Sequence, residues 1–134
     1  MYSEEKAIPF FIPEDIGTAS AFIRSDRGGK QMLEVQTMRL STFLKELDSV
    51  DLVKMDVEGA ESLIVKDLVE TSTISKVKNH YIEYHHNLKT DKSSLSSFLK
   101  DFENNRYSYK IRGSFRNQKG RRFQNIFFHF FREK

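Results

Sequence analysis

The stretch Asp51-Leu-Val-Lys-Met-Asp-Val-Glu-Gly-Ala-Glu61 decides the fold of this chain. The segment 50–56 is mostly apolar and predicts a β-strand, and residues 60–69 carry apolar side chains at helical spacing. Asp56 therefore falls at the carboxyl end of a strand, and Glu58 and Glu61 lie at the start of a helix. Ligands of open α/β sheets bind beyond the carboxyl ends of the strands. Three carboxylates there suit a general base, a metal site or a hydroxyl-binding site.

A purely structural explanation competes for two of these carboxylates. Acidic side chains in the first turn of a helix complement its macrodipole and contribute about 0.3–1 kcal/mol each. Glu61 fits this explanation as well as it fits a functional role. Asp56 precedes the helix, so the macrodipole does not explain it, and we expect it to be functional.

The flanking sequence continues an alternation of strands and helices. Further strands are predicted at 8–12, 20–24, 32–37, 80–85, 107–112 and 123–131. A helix is predicted at 91–105. A shorter helix is predicted after Ser41 as its N-cap, with Phe43, Leu44 and Leu47 as its apolar stripe. This order predicts an α/β fold with parallel strands and a closing antiparallel hairpin. The last strand has bulky apolar groups on both faces, which predicts an interior strand covered on both sides.

A second group of polar residues ends the next predicted strand. Glu83 and His85 lie at its carboxyl end, beside Asp56, and His85 titrates near neutrality, so it is a candidate general base. Lys54 lies in a strand expected to be covered on both faces, and we predict that it pairs with Glu83. No known metal-ligand spacing such as H-E-x-x-H is present, so we predict no metal site. His80 and His129 are expected to be structural.

Composition limits the class of protein. The chain has 134 residues, which we interpret as a single domain over 1–134, with 38% hydrophobic and 31% charged residues. It has no Cys, which excludes disulfides, thiolate metal sites and a Cys nucleophile. No apolar run reaches the roughly 18 residues of a membrane span. With no signal-peptide pattern, we expect a cytoplasmic protein without a membrane partner.

The net charge of +3 is unevenly distributed. Residues 1–105 carry 13 basic and 18 acidic side chains, whereas residues 106–134 carry 9 and 1. A non-enzymatic module that binds an anionic partner such as nucleic acid is therefore an alternative function. Its candidate residues are Lys110, Arg112, Arg116, Lys119, Arg121 and Arg122, with Tyr107, Tyr109, Phe115 and Phe123 as stacking groups. A solvated hairpin that protects its own edge explains these charges more simply.

Three segments together resemble the FkbM family of methyltransferases. They are Val35–Leu44, Val50–Glu61 with its Lys-x-Asp-x-Glu-Gly-Ala-Glu pattern, and Tyr81–His85. The resemblance implies a partial class I, Rossmann-like methyltransferase sheet, S-adenosylmethionine as cofactor, and O-methyl transfer to a small molecule or saccharide. It also implies catalytic roles for Asp56, Glu58, Glu83 and His85, and cofactor binding by Asp56, Val57 and Glu58.

The resemblance covers only the C-terminal half of the family's catalytic domain. The family begins with a strand and a glycine-rich cofactor loop, and the sequence shows neither. The chain is then a truncated methyltransferase inactive alone, a fragment completed by another polypeptide, or a remnant reused for binding. We expect the edge of the 51–56 strand to be open, or covered by a homo-oligomer or a second chain.

Overall fold

The computed structural model describes residues 7–12, 31–86, 94–113 and 124–132, which form two sheets. Strands β1 (Ala7–Ile12) and β2 (Gln31–Gln36) pair antiparallel as a two-stranded sheet. The larger sheet has four strands, which are β3 (Val50–Met55), β4 (Val77–His86), β5 (Ser108–Gly113) and β6 (Gln124–Phe131). The predicted strand at 20–24 lies outside the described residues.

The order of the four-stranded sheet is β3-β4-β6-β5. β3 and β4 are parallel, and β6 runs antiparallel to both β4 and β5. The predicted α/β class, the closing antiparallel hairpin and the interior position of the last strand are therefore confirmed. The mixed sheet is that of a partial Rossmann-like fold.

Within the described ranges, three α-helices and one 3-10 turn accompany the sheet. They are α1 (Leu40–Lys45), α2 (Glu61–Glu70), α3 (Leu95–Asn104) and the turn Thr73–Lys76. α1 begins two residues earlier than predicted, with Arg39 as N-cap, so Ser41 is a buried residue inside the helix. As a result Phe43 is exposed and Leu40 and Leu44 are buried. The predicted cap and the place of Phe43 in the stripe were wrong.

The two faces of the large sheet differ in burial. On one face, Phe128 and Phe130 of β6 are buried, and Phe130 stacks on Phe102 of α3 with ring centroids 3.6 Å apart. On the other face, Phe127 is 44% exposed and Tyr81 is 47% exposed. The prediction that both faces are covered was therefore wrong for the described residues, because the side chains of the helices pack on one face.

Strand β3 is an edge strand among the described residues. Its described ladder runs only to β4, with Val50 opposite Val77 and Met55 opposite Ile82. The carboxyl ends of these two parallel strands therefore meet at one edge of the sheet. In the described part of the chain, no helix is long and apolar enough to cross a membrane.

His80 is buried in an aromatic environment on the core face. Its ring makes edge contacts with Phe102 and Tyr107, at centroid distances of 5.2 and 5.3 Å. Neither ring nitrogen has a hydrogen-bond partner among the described residues. Burial, assisted by the charge of Arg132, lowers the pKa of His80 to about 4. A structural role agrees with this position.

The buried His80 is expected to make stability fall with acidification. The unfolded chain takes up the His80 proton near pH 6.5 and the folded chain only near pH 4, so the free energy of unfolding declines between these values. The decline is about 1.4 kcal/mol per pH unit, or about 3 kcal/mol in all. Urea unfolding at pH 7 and pH 4.5 measures it. His80→Phe should remove most of this dependence, and an unchanged slope would contradict the assignment.

Candidate active site

The loop after β3 has an unusual backbone that positions its carboxylates. It runs from Asp56 to Ala60, and Glu58 and Gly59 form a turn with φ values of 53° and 105°. Glycine adopts such values freely, whereas a glutamate rarely does. The left-handed conformation of Glu58 reverses the chain directly at the sheet edge, so Asp56 and Glu58 both remain beside the end of β4.

Glu61, the first residue of α2, is buried under this turn. Its side chain is 1% exposed, and Oε1 accepts hydrogen bonds from the backbone N–H groups of Gly59 (3.0 Å) and Val57 (3.3 Å). The same oxygen lies 2.8 Å from Nδ1 of His85. One carboxylate therefore joins the loop, the helix and the end of β4.

His85 brings the loop and the neighbouring strand together. Its side chain is 2% exposed, and its Nε2 lies 3.3 Å from Oε2 of Glu58. One ligand-type atom each from Asp56, Glu58 and His85 lies within 4.8 Å of the others. The side chain of Asp56 is 37% exposed, so the group opens to solvent on that side.

The charges around His85 favour its protonated form. Burial alone would lower the pKa of His85, but its hydrogen bond to Glu61 and the charges of Glu61, Glu58 and Glu83 outweigh burial and raise the pKa. Burial would likewise raise the pKa of Glu61, but the hydrogen bonds from His85 and the Gly59 N–H lower it. The buried pair thus keeps an ionised carboxylate against an imidazole ring.

Comparison with known proteins identifies the family of the chain. The family model for the methyltransferase FkbM domain matches residues 1–111. The chain belongs to the FkbM methyltransferase family. The match includes the whole of the loop, β4 and the acidic and histidine residues described above, so the chain is a methyltransferase-like protein. Searches of curated proteins and of solved structures found no match.

The other candidate residues of this FkbM chain lie near the group but outside it. Glu83 accepts a hydrogen bond from the side-chain amide of Asn125 at 2.5 Å. Val57 packs its side chain against the core, and its N–H is used by Glu61. The structure thus brings Asp56, Glu58 and His85 together, whereas Glu83 and Val57 lie beside this group.

The predicted Lys54–Glu83 pair was wrong. Lys54 lies opposite Tyr81 in the ladder, not opposite Glu83. Its side chain is 76% exposed, and its Nζ lies 3.9 Å from Asp56 of the same strand end. Since no described residue covers this face of the sheet at Lys54, water solvates its ammonium group, and the charge needs no buried partner.

Glu61 is the residue whose role the sequence left undecided. Its position in the first turn of a helix is explained by the macrodipole alone, so the sequence offers no reason to expect its contact with His85. The glycine after Glu58 indicates a turn, and this turn places the start of the helix beneath the loop. Only the structure shows that this turn places Glu61 against His85.

The basic residues of the alternative function fall largely outside the described residues. Of the predicted stacking groups, Tyr107 is buried and donates its hydroxyl to the carbonyl of Ile74 at 2.6 Å, so it is not available to a base. The Tyr109 hydroxyl donates to Glu103 at 2.9 Å. Anion binding through this hairpin stays a prediction without support from these two rings.

Proposed function

We propose that this chain forms the acceptor side, and one side of the cofactor pocket, of an S-adenosylmethionine-dependent O-methyltransferase site. The observation that carries the proposal is the buried Glu61–His85 pair, which aims Nε2 of His85 at Glu58 beside the exposed Asp56. These side chains lie at the carboxyl ends of parallel strands, the edge at which such sheets bind ligands. A small-molecule or saccharide hydroxyl is the expected methyl acceptor.

The residues fit one side of the proposed cofactor. S-adenosylmethionine, when bound, supplies an electrophilic methyl group on a positively charged sulfonium. The carboxylates of Asp56 and Glu58 give this edge negative charge, and their oxygens accept hydrogen bonds from hydroxyl groups. Both features suit a cationic ligand that carries ribose hydroxyls.

The chain's own contribution to methyl transfer is to bind and orient the acceptor. Methyl transfer depends chiefly on aligning a nucleophile with the donor, helped by removal of the acceptor's proton. Asp56 and Glu58 each offer a carboxylate oxygen that can accept that proton, within one small space beside His85. Glu61 acts through His85, whose ring it holds in place, and is a positioning residue.

Titration calorimetry with S-adenosylmethionine and S-adenosylhomocysteine tests this proposal. We expect heat of binding with both ligands. Only the methionine form carries the sulfonium charge, so Asp56→Asn should weaken it about fivefold more than it weakens the homocysteine form, since a partly screened charge pair contributes about 1 kcal/mol.

Asp51→Asn is the matched control for this experiment. Asp51 lies at the opposite end of β3 from Asp56, with its side chain 87% exposed and paired with Lys78. Its replacement should leave both affinities unchanged. Absence of heat with both ligands at millimolar concentration would overturn the proposal, as would an equal loss in the two variants.

A further inference from the structure

We propose that Asp56, Glu58 and His85 bind a divalent transition-metal ion. Each residue offers one donor atom, and the three atoms lie within 4.8 Å of one another. An ion between them would sit at the mouth of the site, because the exposed fraction of the three residues falls from Asp56 to the buried His85. Two residues come from the loop after β3 and one from β4, so the fold itself assembles the group.

The contact between Glu61 and His85 is an independent observation that points to a metal. A histidine that ligates a metal through one nitrogen nearly always donates its other N–H to a carboxylate or carbonyl. Oε1 of Glu61 lies 2.8 Å from Nδ1 of His85, and both side chains are at least 98% buried. With the proton on Nδ1, the lone pair lies on Nε2, the nitrogen that faces Glu58.

The support for this arrangement extends one step further from the site. Glu61 is itself held by the N–H groups of Gly59 and Val57. Its carboxylate therefore cannot rotate without breaking these hydrogen bonds from the loop that carries Glu58. A rigid second layer of this kind sets the direction of a ligand before any ion arrives.

The short distance between Nε2 of His85 and Oε2 of Glu58 is favourable only when a proton or a cation lies between the two atoms. A neutral imidazole lone pair 3.3 Å from a carboxylate oxygen is repelled, whereas either a proton or a cation on Nε2 makes the contact favourable. A metal ion adds the Asp56 carboxylate to the same centre, which one proton on Nε2 does not do.

The donor types indicate the class of ion. Two carboxylates and one imidazole suit Mn²⁺, Fe²⁺ or Zn²⁺ better than Ca²⁺, which prefers an all-oxygen shell. Three protein ligands leave coordination positions open. If the proposed function holds, an acceptor hydroxyl in an open position would lose its proton more readily, because a bound cation lowers the pKa of oxygen ligands.

Titration of the chain with Mn²⁺ tests the inference directly. The electron paramagnetic resonance signal of free Mn²⁺ falls when the ion binds, and we expect one ion per chain. Asp56→Asn and Glu58→Gln should each weaken binding at least about tenfold. The matched controls are Asp51→Asn and Glu70→Gln, whose side chains are 87% and 61% exposed and lie away from the group. Both controls should bind as the unmodified chain does.

A second readout identifies the ligand ring. Substoichiometric Mn²⁺ should broaden the nuclear magnetic resonance signals of the His85 ring more strongly than those of His129. Unchanged free-ion signal at millimolar protein, equal loss in variants and controls, or broadening that spares His85 would overturn the inference. No methyl donor is present in these titrations, so their result is independent of the calorimetry with S-adenosylmethionine.

Discussion

Replacing Glu61 with alanine is expected to lower the free energy of unfolding by about 3 kcal/mol. The substitution leaves two backbone N–H groups and Nδ1 of His85 without the acceptor they share. Each buried donor that loses its partner costs about 1–3 kcal/mol. The loss should appear as a lower midpoint in urea unfolding with an unchanged slope.

Two further variants distinguish the effect of the lost hydrogen bonds on stability from two other effects. These are the loss of the Glu61 charge and the loss of any glutamate from α2. Glu61→Gln keeps an oxygen where Oε1 lies, so we expect it to be less destabilising than alanine. Glu70→Ala removes a glutamate from the exposed end of the same helix, where it lies 3.8 Å from Lys66, and should change stability by about 0.5 kcal/mol or less. Equal effects of Glu61→Ala and Glu70→Ala would show that Glu61 serves only the macrodipole.

Phe102→Ala is expected to have the largest effect of any substitution considered, about 4 kcal/mol of lost stability. Phe102 is fully buried, stacks on Phe130, and contacts Phe98, Tyr107 and His80 by ring edges. Removal of its ring leaves a cavity at the centre of the aromatic core, which the surrounding rings fill only in part.

Phe127→Ala is the matched control on the opposite face of the same sheet. Phe127 is 44% exposed, so its truncation should cost about 1 kcal/mol or less. Comparing the loss of unfolding free energy in the two variants shows which face of the sheet is buried in solution. A loss from Phe127→Ala as large as that from Phe102→Ala would mean that this face is covered, by residues outside the described ranges or by a partner.

Local pattern was sufficient to predict the elements that make the site. The apolar run before Asp56 and the Glu-x-His sequence at 83–85 identify two strand ends, and parallel pairing brings them to one edge. The proximity of Asp56, Glu58 and His85 follows from that rule. Phe128 and Phe130 likewise indicate an interior strand, which the position of β6 confirms.

The errors come from features that depend on the three-dimensional environment. Lys54 and Glu83 share a sheet face, but the register places Tyr81 opposite Lys54, and register is not encoded in either strand alone. The expectation of two covered faces treated Phe127 and Phe128 alike, although among the described residues only Phe128 packs against a helix. Glu61 was ambiguous because its contact with His85 spans 24 residues and depends on the turn at Glu58.

The left-handed backbone at Glu58 carries a steric cost for any side chain at this position, including the carboxylate that faces His85. A glycine at 58 would adopt a φ of 53° without steric cost, whereas a side chain there costs about 1 kcal/mol. Selection for a more durable fold would therefore favour glycine and remove the carboxylate that faces His85. On backbone conformation alone, glutamate is therefore the less stable of the two residues at this position.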